Sequence, residues 1–419
     1  MQLGEVEQRM RQGEMGEPRR QAIEHQIEVG RFFDAEDMVA IGHVHIMADT
    51  EALGESGVEF LEQVAGHPEE DRWVLVPTVT DPRGVDFKSY QRIGQDKGYL
   101  DLERRAIDAF RALGVLMTDT CINYQIFMPP VMGEHVAFGD TGSSIYTNSV
   151  LGARTNFEGG PSALAAALTG RTPRYGYHLD EVRRGQTLFR AETRPETLSD
   201  WGALGAIVGR EMQSYWEVPV IDGIRGAPSS DELKHFGAAL ASFGSTPLFH
   251  MVGVTPEAPT LDAAFQGAQP SGLPEAQVIA RADIDAFYGA YRPADDALDV
   301  VVFAAPQLSL AEMQALGRLI AGRRVHGSTT LIACTAPEVK SACDRMGITE
   351  EIEGAGGIVL EGVCFYNMHA REIGEANGWK RLMSNSAKIV NILGGYGYEP
   401  VLAPMARCVE SACAGKIVR

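Results

Sequence analysis

The sequence predicts an α/β protein whose strands pair mainly in parallel. Three observations predict it. Strand and helix patterns alternate along the chain. The 45% apolar and 22% charged content is that of a globular protein. A chain of 419 residues exceeds one ordinary core, so two or three domains are expected.

The elements follow in order. Residues 5–33, EVEQRMRQGEMGEPRRQAIEHQIEVGRFF, read as helices that are polar on most faces. MVAIGHVHIM (38–47) reads as a strand, GVEFLEQVA (57–65) as a helix and RWVLVPTVT (72–80) as a strand. LDLERRAIDAFRALG (100–114) then reads as a helix and VLMTDTC (115–121) as a strand. A weak internal repeat spans residues 218–342, each copy a buried strand, a capped helix and a second strand. Ser229 and Ser309 sit at N-cap positions, with Glu232 and Glu312 three residues on, as a capping box requires. Residues 254–277 are rich in Pro, Gly and Ala and read as an inter-domain connection.

Charge and cysteine usage narrow the function. There are 37 basic and 56 acidic residues, a net charge of −19, with no basic block. This balance opposes nucleic-acid and anionic-membrane binding, so any anion site must carry its own positive groups. The N-terminus has no apolar h-region and no run of about 18 apolar residues follows, so neither a signal peptide nor a membrane span is expected. Six cysteines in a chain of this size fit free or metal-bound thiols in a reducing cytoplasm.

No cysteine pair is spaced C-x-x-C, which excludes a ferredoxin-like cluster or zinc ribbon. Cys121, Cys334 and Cys364 follow strand patterns, where α/β sites gather. Cys343 keeps helical spacing with Val339 and Met346, as a core residue does. Cys408 and Cys413 are about 140° apart on a helix, and Cys408 lies nearer its start, after Pro404.

The most polar stretch is NSVLGARTNFEGGP (148–161), ahead of an alanine-rich helix whose first turn suits Pro161 and whose stop suits Gly170. Asn148, Ser149, Arg154, Thr155 and Asn156 can make an anion cradle there, or a surface turn. Asp-Thr-Gly-Ser at 140–143 is the aspartic-protease signature, but a single copy within α/β sequence argues against that reading. His43 and His45 share one strand face, as ligands or as a half-buried pair. His135 stands beside Glu134, which can orient it.

GEHVAFGDTGSSIYTNSVLGARTNFEGGPSALAAALTGRTPRYGYHLDE, GVCFYNMHAREIGEANGWKRLMSNSAK and RCVESACAG closely resemble the large catalytic subunit of aconitase X enzymes. The likeness runs nearly end to end and is weakest from Val218 to Gly356. It implies an aconitase-like fold of three α/β domains around an iron–sulfur cluster site. Residues 1–190 would be the cluster and substrate domain with 364–419 packed back onto it, followed by α/β domains at 191–285 and 286–363.

The resemblance also implies a dehydratase. Matched to the family's motifs, Cys121, Cys364 and Cys408 would bind the cluster, as [4Fe-4S] or [2Fe-2S]. Three thiolates leave one iron open as a Lewis acid. Two substrate classes are implied, cis-3-hydroxy-L-proline in bacterial types and mevalonate 5-phosphate in archaeal ones. HIMADTEALGE, CINYQ and CFYNMHAREIGEANGWKR look nearer the bacterial type, whose product is Δ1-pyrroline-2-carboxylate.

In that reading Arg154, with Asn148, Ser149, Thr155 and Asn156, clamps the substrate carboxylate. His135 assists departure of the hydroxyl. Ser384, Asn385, Ser386 and Lys388 close the pocket, with His45 in the same shell. The chain ends at Arg419 without the swivelling domain that carries the serine base in aconitases, so a separate small subunit is expected. A phosphorylated substrate would need further basic groups, and Arg171 and Arg174 are the nearby supply. The rival from another class is a cluster-free regulatory or binding protein.

Overall fold

A computed structural model of the chain describes residues 1–267 and 272–418. The first part holds five short strands, β1 (Met38–Ala40), β2 (Val44–Ile46), β3 (Thr78–Thr80), β4 (Ala137–Phe138) and β5 (Arg171–Pro173). β2, β3 and β4 form a parallel sheet in the order β3–β2–β4, while β1 pairs antiparallel with β5. The single strand expected over 38–47 is thus two, belonging to different sheets. The segment expected as a strand over 115–121 makes one bridge, Val79 to Leu116, yet it runs beside β3. Its amides at Leu116 and Thr120 donate to Thr78 and Thr80 carbonyls at 2.8 and 3.0 Å, which delivers Cys121 to the carboxyl end of the sheet.

Helices take their places through local capping. Asp49 caps Thr50–Ala65 and Asp140 caps Thr141–Ser149, each carboxylate accepting from a backbone amide three residues on. Gly160–Thr169 carries its proline in the first turn and ends at Gly170 in the left-handed region, φ 62°.

The second part is a parallel sheet, order β8–β7–β6–β9, of β6 (Thr187–Ala191), β7 (Pro219–Asp222), β8 (His250–Met251) and β9 (Gln277–Ile279). The stretch 254–277 runs inside this part, from β8 to β9, instead of connecting domains; its residues 268–271 lie outside the described residues. The third sheet, order β12–β11–β10–β13–β14, holds β10 (Val300–Leu308), β11 (Thr330–Thr335), β12 (Ile358–Glu361), β13 (Arg381–Ser384) and β14 (Glu399–Leu402). Every residue of β10 is buried, so this strand requires a partner on each side. β13 supplies one, pairing Leu382 with Val300, and β14 pairs with β13.

Two expectations change here. Residues 364–418 pack back onto the first domain, Asn367 donating to Asp49 at 3.3 Å and the His369 amide to Glu51 at 2.6 Å, but they also complete the third sheet through β13 and β14 and so belong with the domain expected to end at 363. The helix Arg281–Ala290 runs through the boundary expected at 285/286 and packs on the second part's helix Leu198–Met212. The repeat's two capping boxes both form, at Ser229 with Glu232 and at Ser309 with Glu312, one in each of the two later parts. No helix among the described residues is long and apolar enough to cross a membrane.

The carboxyl ends of the first and third sheets meet. Arg83, just past β3, donates its amide to Gly362 just past β12, at 3.0 Å. Its guanidinium pairs with Asp119 and reaches the Glu361 carbonyl at 2.8 Å. Open α/β sheets place their sites at such carboxyl ends.

Candidate functional site

Six polar side chains converge where the two sheets meet. Asp81 directly follows β3, Asp140 follows β4 and His45 stands within β2. Cys121 ends the segment beside β3. From the third part come Cys364, beyond β12, and Lys388, on the helix Ala387–Leu393 after β13. All six are buried, Asp81 to 1% exposure and Lys388 to 5%. Charges this deep require partners, because desolvation of an ion is costly.

Lys388 Nζ lies 3.4 Å from Asp140 Oδ1, while Asp140 Oδ2 takes the Ser143 amide at 2.7 Å. Burial alone would raise the Asp140 pKa, but the Lys388 ammonium, the Ser143 amide and His45 together outweigh it and hold the carboxyl below its usual range. Burial likewise works against the ammonium, yet Asp140, the two thiols and Asp81 keep the Lys388 pKa above normal. The Lys388 ammonium also sits over the Tyr366 ring, 5.4 Å from its centre.

Asp81 is different. Neither of its carboxyl oxygens has a hydrogen-bond partner. The nearest titratable partner is His45 Nε2 at 3.5 Å, and that nitrogen donates to the Thr120 carbonyl at 2.8 Å. A carbonyl only accepts, so His45 carries its proton on Nε2 and leaves Nδ1 an unused acceptor. Burial, then the charges of Asp140, Cys121 and Asp49, push the Asp81 carboxyl well above its ordinary range. Asn123 beside Cys121 has both amide atoms unused. Buried polar atoms of this kind mark a place where another group is received.

The Cys364 thiol neighbours Cys121, and its proximity together with burial pushes the Cys121 thiol well above its usual pKa. Two neighbouring thiols beside an unpartnered carboxyl fit an iron–sulfur centre, which thiolates favour. The fit is to a two-thiol anchor. Cys408 does not join it: its thiol donates to the Ala403 carbonyl at 3.3 Å and packs with Val301, Phe303 and Leu308. Cys364 packs with Val300, Val302 and Ala304. Alternate residues of one strand face opposite sides, so Cys408 lies across the third sheet from Cys364.

Cys334, a strand-end cysteine that the family resemblance left out of the ligand set, is on the Cys364 side. Burial pushes its thiol pKa up, and it lies near the Phe365 amide and in the field of Cys121. Among the described residues, no three His, Cys, Asp or Glu side chains stand at metal-holding spacing.

The expected carboxylate clamp lies elsewhere. Arg154 and His135 form a bridge at the amino end of β4. Five residues at about 3.3 Å each put His135 up to roughly 16 Å from Asp140. Arg154 pairs with Asp180 and donates to the His178 carbonyl at 3.1 Å. His135 Nδ1 faces His178 Nδ1 at 2.9 Å, and both residues line a separate cavity of about 740 Å³. Glu134 orients His43, not His135, at 3.4 Å.

The neighbours of Arg154 brace the fold. Asn148 donates to the Thr155 and Pro247 carbonyls, both at 2.9 Å, and accepts from the Thr155 amide and Arg183. Ser149 accepts from the Phe249 amide at 2.9 Å. Thr155 accepts from the Phe138 amide and donates to the Asn156 carbonyl. Asn156 donates to the Tyr175 carbonyl and accepts from the Tyr177 amide. Arg171 and Arg174, the supply foreseen for a phosphate, are paired with Glu7 and Asp37. The change Arg154→Lys is therefore expected to alter kcat/KM by less than about tenfold, against the 10²–10³ a lost charge-stabilising donor costs. Steady-state kinetics decide it, and a hundredfold loss restores the clamp.

Of the SNSAK residues, Lys388 reaches the site and the others present it. Ser386 caps the helix, accepting from the Ile389 amide at 3.2 Å, and also donates to the Ala305 carbonyl. Ser384 accepts from the Ser386 amide, and the Asn385 carbonyl takes the Ser199 hydroxyl at 2.9 Å. Asp81 and Asp140 were missed, although the strand-end rule that found Cys121 applies equally to TVTD and AFGD.

Three family models match successive parts of the chain: aconitase X first domain over residues 1–181, second domain over 185–289 and third domain over 298–414. The phosphomevalonate dehydratase large subunit of Methanothermobacter thermautotrophicus is 34% identical over 94% of this chain and 94% of its own length. That of Methanocaldococcus jannaschii is 31% identical over 93% and 94%. The cis-3-hydroxy-L-proline dehydratase of Pseudomonas aeruginosa is 30% identical over 99% of this chain and 70% of its own length. The crystal structure of Thermococcus kodakaraensis aconitase X in its holo-form superposes with a TM-score of 0.85 at 27% identity, covering 98% of this chain and 100% of that one.

Proposed function

The chain belongs to the aconitase X family and is a hydro-lyase, and from that premise we propose that it is the large subunit of a phosphomevalonate dehydratase. One observation carries the substrate: relatives of that name reach 34% identity across 94% of both chains. The relatives named for cis-3-hydroxy-L-proline are less similar, and this chain spans only 70% of the Pseudomonas one. These similarities favour mevalonate 5-phosphate over the hydroxyproline leaning of CINYQ and CFYNMHAREIGEANGWKR.

The reaction is loss of water from a 3-hydroxy acid: a proton leaves the carbon beside the carboxylate, and hydroxide leaves the next carbon. Cys121 and Cys364 would hold an iron–sulfur group, with Cys334 beside them, and that group supplies Lewis-acid polarisation of the hydroxyl. Asp81, whose carboxyl pKa burial pushes well above its ordinary range, is the residue suited to give a proton to the departing hydroxide. Lys388 offsets negative charge as the carbon beside the carboxylate is deprotonated, with Asp140 fixing the ammonium in place. The enclosing burial keeps water from these groups. The serine base would come from a small subunit, the partner implied by relatives named large subunits.

The test is anaerobic co-purification with the small subunit, followed by assay of both substrates. Mevalonate 5-phosphate should be dehydrated with a kcat/KM at least about a hundredfold above that for cis-3-hydroxy-L-proline. The reverse ratio overturns the reading.

A further inference from the structure

We infer that Gln307 is a positioning residue that sets the spacing of Cys121 and Cys364. The inference rests on the reading that these two thiols anchor the cofactor. They come from different domains, one from the end of the first sheet and one from beyond β12, and no covalent link gauges their separation. Gln307, fully buried at the end of β10, touches both approaches.

Its Oε1 accepts from Thr120 Oγ1 at 2.7 Å, and its Nε2 donates to the Asp119 carbonyl at 3.2 Å, both just before Cys121. The same Nε2 reaches the carbonyl of Val363, immediately before Cys364, at 3.1 Å, and that of Thr335, immediately after Cys334, at 3.4 Å. The Gln307 amide meets Cys121 Sγ at 3.4 Å. A single carboxamide thus ties together the backbone leading to one thiol and the backbone leading to the other.

The residue is also held from behind. Its carbonyl accepts from Lys234 Nζ of the second domain at 3.3 Å, and that ammonium is paired with Glu312 and Asp231. All three domains therefore bear on the position of this one side chain. Oxygen in place of its NH₂ group would face three carbonyls and repel them. A hydrocarbon of the same length would leave them without donors.

The experiment uses the full chain, freed of metal under reducing conditions and then treated with diamide. Diamide takes the two thiol hydrogens and becomes its hydrazine, and an S–S bond forms between the sulfurs. Peptide mass mapping follows the Cys121–Cys364 disulfide, and anaerobic reconstitution of the same proteins measures iron affinity. Wild-type chain should cross-link readily. In Gln307→Leu and Gln307→Glu, cross-linking should slow at least about tenfold and iron bind roughly 10- to 100-fold more weakly, as when a group that orients ligands is lost.

Tyr398→Phe, which removes one buried hydrogen bond to the Ala370 carbonyl of the third domain, should change neither and controls for destabilisation alone. Should Leu and Glu both prevent folding, Gln307→Asn carries the same test, since it keeps the amide but withdraws it by one methylene. A folded variant that cross-links and binds iron as wild type overturns the proposal, as does a wild-type chain that forms no Cys121–Cys364 bond. If Cys121→Ser and Cys364→Ser load iron normally, the cofactor reading fails separately, and the cross-linking result still decides the spacing role.

Discussion

Lys388→Met should destabilise the chain by about 3–5 kcal/mol, because it leaves the Asp140 carboxylate buried without its ammonium. Urea unfolding measures this. The same change should lower kcat/KM by about 10²–10³, the loss that follows removal of one preorganised charge-stabilising group. The two effects separate in the double variant. Lys388→Met with Asp140→Asn has no uncompensated charge at this pair, and Asn still caps the helix Thr141–Ser149. It should regain most of the stability and none of the activity. A double variant that unfolds as readily as the single one would show that Lys388 stabilises the fold through some other contact. Recovery of activity would remove Lys388 from the chemistry.

The second large effect separates the cysteines. Cys121→Ser and Cys364→Ser should each fail to load iron and lose activity on the order of a thousandfold. A Lewis acid supplies several kcal/mol, and about 1.4 kcal/mol is tenfold in rate. Cys334→Ser should share in the loss of iron affinity, since its thiol stands by the Phe365 amide next to Cys364. Cys408→Ser should load iron as wild type and lose about 1–3 kcal/mol of stability, the cost of a hydroxyl in an apolar cluster. Iron analysis with thermal unfolding of the four variants makes the test. A Cys408→Ser protein that folds but takes up no iron returns that residue to the ligand set.

Much of the fold was legible because its signals are local. The capping boxes at Ser229 and Ser309 and the helix from Gly160 to Thr169 depend on residues within about four positions of each other. The strand patterns announced parallel sheets, and the rule that sites gather at strand ends picked out Cys121, Cys334 and Cys364. Lys388 came from resemblance and stands in the site.

Other residues were misjudged for definite reasons. Arg154 and its neighbours have the right chemistry for gripping a carboxylate, but residue type does not say at which end of β4 they stand. Their donors are taken by the Thr155, Pro247, Asn156, Tyr175 and His178 carbonyls and by the Asp180 carboxylate. Asp140 was read only as part of a protease signature, and its role depends on an ammonium 248 residues later. Cys334 and Cys408 are both buried thiols at element ends, and only the face of the third sheet on which each packs tells them apart.

The sequence by itself determined the α/β alternation and the capped helices, since these follow from periodicity and from contacts along the chain. The tertiary structure alone decided that Asp81, Asp140 and Lys388 share one buried space with Cys121 and Cys364. That outcome belongs to two sheets meeting at their carboxyl ends, and the charges are tolerable there only because residues far apart in the chain neutralise one another.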